Sequence, residues 1–527
     1  MLRMIGKEKE YMSEINVLWV DDEIELLRPH IIFLEKKGYK IHSSTNADDA
    51  LDLLEKQPID LIFLDEMMPG LSGLEALSHF KKIAPAVPIV MLTKSEEESI
   101  MDKAVGANIS DYLIKPVNPS QMLITLKKHL HGKELVTTAS ESGYRTDYRN
   151  LAAQIDSAST IQEWMDVYRQ LCDWRMSLIK VDTLNMLEMH SMQQLSANSA
   201  FAKFIRREYE GWFPDGDGRP LMSPSVLRER VFPVIDSGEK VLLVVIDNMR
   251  YDQWRVIRGL LGPRWRVESE ELYCAILPTV TQYARNSLFA GLMPLEIEKL
   301  HPDLWVGELD QEGKNAYEYE LLKKNIQRAG RSYKTAFYKG ATLDGTPLAE
   351  ADLGGAAEND LTVMVYNFID MLSHSRSNMQ IIKQLATDSN AYLSLTESWF
   401  RRSDLLGLIN RAADHNMRLV ITTDHGSIQV KQAVRVVGDR ETSTNMRYKM
   451  GRNLAYDKRD VVDFVTPSAV HLPQNNVSSR YIFATGNSFL VYPKNYNYYA
   501  TSFRDSFQHG GVSLEEMLVP VVTLRPL

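Results

Sequence analysis

Seven side chains in the C-terminal half have the types needed for one metal-centred site: Asp247, Thr281, Asp370, His374, Asp424, His425 and His509. Each lies at the end of an apolar run or in the loop just after it. "VLLVVID" ends at Asp247, "LTVMVYNFID" at Asp370 and "LVITTDH" at Asp424 and His425. Thr279 and Thr281 precede a helical stretch, and His509 precedes two glycines. An Asp–His pair at i, i+4, such as Asp370 and His374, can face one ion. Carboxylates mixed with imidazoles and no thiolates suit Zn²⁺ or Mn²⁺ better than Mg²⁺ or Ca²⁺. Seven ligands are too many for one tetrahedral ion and about right for two.

The N-terminal 130 residues carry a second set. "VLWV" leads to Asp21 and Asp22, "LIFL" to Asp65, "IVML" to Thr93, and "DYLI" to Lys115. Three carboxylates at one point tolerate each other only around a cation, and an all-oxygen shell suits Mg²⁺. Lys115 would neutralise a transferred phosphoryl group, and the Thr93 hydroxyl could bond it.

Sheets must position both sets. The apolar runs read as buried parallel strands, with helical periodicity between them in "IELLRPHIIFLEKKG" and "NADDALDLLEKQ". This predicts a doubly wound α/β sheet whose ligand lies at the strands' carboxyl ends. Residues 132–146 read as a polar linker. The next segments have i, i+3, i+4, i+7 apolar spacing and predict three to five helices, with a break at "FPDGDGRP". Strand and helix alternation resumes near 240. The expected domains are residues 14–131, a helical region at 132–235, and a large α/β domain at 236–527 with a cap-like segment around 430–480.

Composition sets bounds. The chain has 527 residues, a net charge of −9 and 24% charged residues, so it is neither a polybasic nucleic-acid coat nor a disordered tail. Two cysteines argue against a disulfide scaffold and for a reducing cytoplasm. No apolar run approaches the ~18 residues of a membrane helix, and the start is not a signal peptide. No recognition helix of transcription-factor type is evident. Residues 430–460 hold eight basic and four acidic residues, with Tyr448 and Tyr456 among Arg447, Lys449 and Arg452. Charge beside aromatic faces suits nucleotides.

On "VDDE", "FLDEMMPG", "LTKS" and "DYLIKP", the first 130 residues resemble the receiver domain of two-component response regulators. The resemblance implies phosphorylation of Asp65 by a sensor histidine kinase. It also implies Mg²⁺ on Asp21, Asp22, Asp65 and the Met67 carbonyl, phosphoryl contacts from Thr93 and Lys115, and Tyr112 as switch aromatic. The last two receiver helices, 95–107 and 119–130, imply a homodimer on phosphorylation.

The ordered C-terminal set, with "PTVTQYARNSLFAG", resembles the alkaline phosphatase superfamily and most of all its PglZ branch. That resemblance implies Thr281 as nucleophile. It implies one metal on Asp247, Thr281, Asp424 and His425 and another on Asp370, His374 and His509. Coordination would activate the threonine hydroxyl, a poor nucleophile at its free pKa. The superfamily's phosphate-binding asparagine falls on Ala284, and Asn248, Arg285 or Asn286 could replace it. The whole chain is similar to PorX-type response regulators, which the resemblance links to type IX secretion and to secretion-system or sigma-factor partners. The leading expectation is a phosphodiesterase or phosphatase acting on nucleotide-type diesters and gated at Asp65. A signalling adaptor whose metal domain is a docking platform is the second reading, and a phosphomutase the third.

Overall fold

The computed structural model describes residues 15–93, 109–130, 132–181, 184–213, 219–308, 310, 313–340, 357–374, 389–439 and 442–527. The chain forms two compact units, residues 1–142 and 143–527.

The first unit is built on a parallel five-stranded sheet of order β2-β1-β3-β4-β5. Its strands are β1 (Ile15–Val20), β2 (Tyr39–Ser44), β3 (Leu61–Asp65), β4 (Ile89–Thr93) and β5 (Asp111–Ile114). Strands β3 and β4 are buried throughout, which their continuous apolar runs predict. Strand β2 has no apolar run to announce it: "YKIHSS" is half polar, and its burial is mixed, as in an edge strand. Helix Gly73–Ile83 starts with a Ser72–Glu75 capping box. Gly73 is required there, because a Cβ would stand 2.1 Å from the Asp65 carbonyl oxygen. The helix can therefore start directly against the strand that carries Asp65. The expected helix at 95–107 lies outside the described residues.

Residues 132–146, expected as a polar linker, are helical. Helix Gly132–Ser157 covers them, and the chain passes from the first unit to the second within it. The stretch lacks proline, and the helix forms although serine, threonine and glycine are frequent in it and no strong apolar stripe announces it. Helices Ile161–Val181 and Leu184–Glu208 follow.

The core of the second unit is a six-stranded sheet. Its parallel centre runs in the order β10 (Arg418–Thr422), β6 (Val241–Ile246), β9 (Leu361–Tyr366), β8 (Thr335–Gly340). The last strand, Leu518–Pro526, pairs antiparallel with β10 and then with β7 (Trp265–Cys274). All six residues of β6 and of β9 are buried, as strands covered on both faces must be. Residues 430–480 feed two smaller sheets, one of three strands and one of two. Cys172 and Cys274 are buried free thiols. No helix among the described residues is long and apolar enough to cross a membrane.

Candidate metal centres

At the carboxyl edge of the first sheet, carboxylate oxygens of Asp21, Asp22 and Asp65 lie within 4.8 Å of one another. Lys115 Nζ bonds Asp21 at 2.7 Å and stands 2.9 Å from Asp65. Burial raises the Asp65 pKa, and Lys115 works against that rise. Met67, two residues beyond Asp65, is exposed. Tyr112 is partly exposed on β5. The Thr93 hydroxyl donates to the Glu66 carboxylate, a pairing that sequence reasoning missed because nothing in "FLDEMMPG" links Glu66 to a residue of the next strand.

The second centre is assembled by strand ends. Asp247 follows β6, and Asp424 and His425 follow β10, its parallel neighbour. Ligand atoms of these three buried residues lie within 4.8 Å of one another. His425 Nε2 is 3.7 Å from carboxylate oxygens of both Asp247 and Asp424. Thr281 opens helix Thr281–Ala290, whose N-cap, Val280, offers no capping side chain. Its Oγ1 stands 3.3 Å from His425 Nε2 and 3.5 Å from Asp247 Oδ1.

Asp370 lies in helix Phe368–His374, after β9. Its Oδ1 is 3.4 Å from His509 Nε2. The rings of His509 and His425 stack at 4.3 Å. Asn248 ties the two groups together: its N–H donates to Asp424 Oδ1 at 3.3 Å and its side-chain amide to Asp370 Oδ1 at 3.4 Å. His374 ends the Asp370 helix, and its side chain lies outside the described residues.

The donors fit metal ions. His425 Nδ1–H donates to the Gly426 carbonyl at 3.2 Å and His509 Nδ1–H to the Thr279 carbonyl at 3.1 Å. In that tautomer Nε2 presents a lone pair on both rings. Burial lowers the His425 pKa to about 4, so the ring is neutral near pH 7. Asp424 Oδ2 is buried without a hydrogen-bond partner. Burial and then the nearby Asp424 carboxylate hold the Asp247 pKa well above its ordinary value. Packed acids of this kind call for a cation.

The chain behind the site is rigidly tied. A Cβ on Gly426 would lie 2.1 Å from the Glu515 carbonyl oxygen, so only glycine fits beside the ligand pair. Its N–H donates to the Glu516 carbonyl at 3.1 Å. The Glu516 carboxylate accepts from Arg447 at 2.6 and 3.1 Å and from the Gly511 N–H at 2.9 Å. Glu515 in turn accepts from Gln194 at 2.6 Å and Asn198 at 2.9 Å, both on helix Leu184–Glu208. The helical segment thus braces both ligand loops.

A cavity of about 350 Å³ opens at Thr281, lined in part by Glu308, Lys314, Asn315, Asn445, Tyr448 and His509. The three side chains offered for the missing asparagine do not line it. Arg285 is buried and bonded to Asp247 and, at 2.6 Å, to Glu318. Asn286 gives its amide to the carbonyls of Gln282 and Lys314, each at 2.9 Å. Asn248 holds the metal-facing carboxylates. Thr279 is also committed, donating to the Gly511 carbonyl and accepting from the Gly510 N–H, each at 3.0 Å. Much of the basic character of 430–460 is spent inside: Arg447 pairs with Glu516, and Tyr448 donates to Glu308 at 2.8 Å. Lys314, Asn315 and Asn445 were missed, because loop residues with no motif give no signal before the fold brings them together.

Three family models match the chain. Residues 226–524 match the BREX system PglZ alkaline phosphatase-like domain, residues 17–127 the response regulator receiver domain, and residues 134–213 the PorX response regulator linker domain. The transcriptional regulatory protein ResD of Bacillus subtilis is 33% identical over 132 residues, 25% of this chain and 52% of that protein. The transcriptional regulatory protein YvrH of the same organism is 35% identical over 150 residues, 27% of this chain and 61% of that protein. The chain thus spans about half to three fifths of the length of these curated relatives. A CheY-like receiver domain protein from Methanospirillum hungatei superposes with a TM-score of 0.22 at 28% identity, over 23% of this chain and 98% of that one. The receiver and phosphatase-like domains imply the use of divalent metal in general. The chain belongs to the PglZ alkaline phosphatase-like family and carries that domain behind a receiver and a linker domain of the PorX response-regulator type.

Proposed function

We propose that the C-terminal domain hydrolyses nucleotide-type phosphodiesters with Thr281 as nucleophile, and that phosphorylation of Asp65 controls it. The observation that carries this reading is the Thr281 hydroxyl, in the first turn of its helix and within 3.5 Å of both His425 and Asp247. Asp247, Thr281, Asp424 and His425 would hold one Zn²⁺ and Asp370, His374 and His509 a second, with Mn²⁺ as the alternative. In the receiver, Asp21, Asp22, Asp65 and the Met67 carbonyl would hold Mg²⁺. Ions in such sites acidify bound hydroxyls and offset negative charge on phosphate oxygens.

The chain's own residues supply the rest. Thr281 is the first residue of helix Thr281–Ala290, so the positive end of the helix dipole would lie beside the reacting group. Asn315 holds the Thr281 carbonyl at 3.0 Å and fixes the turn. Thr281 Oγ1 loses its proton and forms a bond to phosphorus as the P–O bond to one alkoxide breaks, that alkoxide leaving as the alcohol once protonated; water then breaks the Oγ1–P bond, restoring the hydroxyl proton and releasing a phosphate monoester. Among the described residues, Lys314 is the one cation lining the cavity, and it is 3.9 Å from the Glu308 carboxylate. Beyond the proposed ions the cavity thus adds little positive charge of its own, which suits a singly charged diester better than a dianionic monoester. By resemblance to PorX-type regulators, a phosphorylated homodimer would serve control of type IX secretion from the cytoplasm.

Elemental analysis joined to a panel of model diesters tests the reading. The purified chain should hold about two equivalents of zinc, one for each ligand group of a two-metal site, and turn over a bis-nitrophenyl phosphate. A chain that takes up no transition metal on titration refutes it.

A further inference from the structure

A second cavity, of about 1260 Å³, lies between residues 437–449 and 490–503. Thr444, Met446 and Phe503 line both this cavity and the one at Thr281. The two spaces therefore adjoin, and the larger one is far roomier than a reacting phosphate requires. Its walls carry Tyr492, Tyr498, Tyr499 and Phe503 together with Lys449 and Lys494.

Lys449 is the unusual member. It is 1% exposed, and its Nζ lies 4.4 Å from the centre of the Tyr492 ring. It donates to the Ser443 carbonyl at 3.2 Å. Among the described residues no carboxylate stands within ion-pairing distance of it. Asp439, the acid in the same wall, bonds Asn453 at 3.1 Å and faces Arg452 at 3.9 Å. Burial lowers its pKa to about 7, a fall that the more distant Glu308 carboxylate offsets only in part, so the ammonium is kept at a cost. A cation kept at that cost beside a cavity is suited to an anion brought by a ligand. Tyr498 and Tyr499, at the more exposed rim, offer aromatic faces on which a base can stack.

We propose that this cavity is a subsite for the part of the substrate beyond the reacting phosphate, with a second phosphate against Lys449 and its nucleoside against the tyrosines. The proposal rests on the reading of Thr281 as nucleophile toward nucleotide diesters. It makes the preferred substrate an oligonucleotide bearing a further phosphate group rather than a simple aryl diester.

The test compares a thymidine dinucleotide with and without a 5′-phosphate on the full-length protein. In the wild type the phosphate should lower KM by ~10-fold or more, the effect of one charged hydrogen bond. Lys449→Met should abolish that preference and leave turnover of the unphosphorylated dinucleotide within about twofold. Tyr499→Ala, at a more exposed position, should raise KM for both dinucleotides and leave bis-nitrophenyl phosphate unaffected. A 5′-phosphate preference that persists in Lys449→Met overturns the proposal, as does equal loss on both dinucleotides. If the wild type turns over no diester, the reading of Thr281 fails. Calorimetry of the 5′-phosphorylated dinucleotide on Thr281→Val then decides the subsite by itself. Binding that disappears with Lys449→Met supports it, and absence of binding overturns it.

Discussion

Arg285→Met should destabilise the metal-free protein much more than the zinc-loaded one. The guanidinium is 2% exposed and lies among three carboxylates: Asp247, Glu318 at 2.6 Å and Asp424 at 3.8 Å. Glu318 keeps a second cation, Lys339, at 2.8 Å. Asp247 and Asp424 keep none among the ion pairs of the described residues beyond the neutral His425. Removing one partner of a buried ion pair costs about 3–5 kcal/mol. At about 2 °C per kcal/mol, this lowers Tm by roughly 5–10 °C. With zinc on Asp247 and Asp424 the ion offsets the same charges, so the loss should fall below half of that. Conversely, the gain in Tm on adding zinc should be larger in the variant than in the wild type. Thermal unfolding of both proteins with chelator and with zinc measures the four values. Equal losses under the two conditions would refute the sharing of Asp247 between Arg285 and a metal.

Other outcomes are expected elsewhere in the molecule. Asn198→Leu leaves a buried Glu515 oxygen and the Leu514 N–H without a partner, so it should cost ~1–3 kcal/mol in thermal unfolding. The same variant should weaken zinc binding about tenfold in a chelator competition, because it loosens the brace behind Gly426. Lys449 has a folded pKa of about 7, below its unfolded value near ~10.4, so it opposes folding. That penalty is full below about pH 7 and fades as pH rises to the unfolded value. Lys449→Met should thus be the more stable protein at pH 6, by on the order of 4 kcal/mol, and lose that advantage by about pH 10. Beryllofluoride should convert monomer to dimer in light scattering, and Asp65→Ala should abolish the shift.

The parts of the fold legible in the sequence were those with one dominant force. Strands β3, β6 and β9 are continuous apolar runs buried on both faces, and no other element accommodates that pattern. Their chemistry was legible too, because parallel strands bring the residues that follow them to one edge: Asp247 after β6 and Asp424 after β10 meet without any local signal between them. The failures arose where the decisive partner is distant in sequence. Arg285 and Arg447 read as phosphate-seeking cations, yet each has a buried acid waiting, Asp247 and Glu516. Residues 132–146 were read as linker because their serines, threonines and glycines give no apolar period, yet they open helix Gly132–Ser157. Lys314 and Asn315 lie in a loop whose place beside Thr281 only tertiary structure sets.

The central claim is that Thr281 attacks phosphorus. Rapid acid quench of the zinc-loaded protein during turnover of bis-nitrophenyl phosphate, followed by peptide mapping, tests it most directly. The account predicts a nitrophenylphosphoryl adduct on the peptide at Thr281, and Thr281→Val should retain its metal while losing both adduct and turnover. An adduct on Thr279 or elsewhere, or wild-type turnover by Thr281→Val, would contradict it.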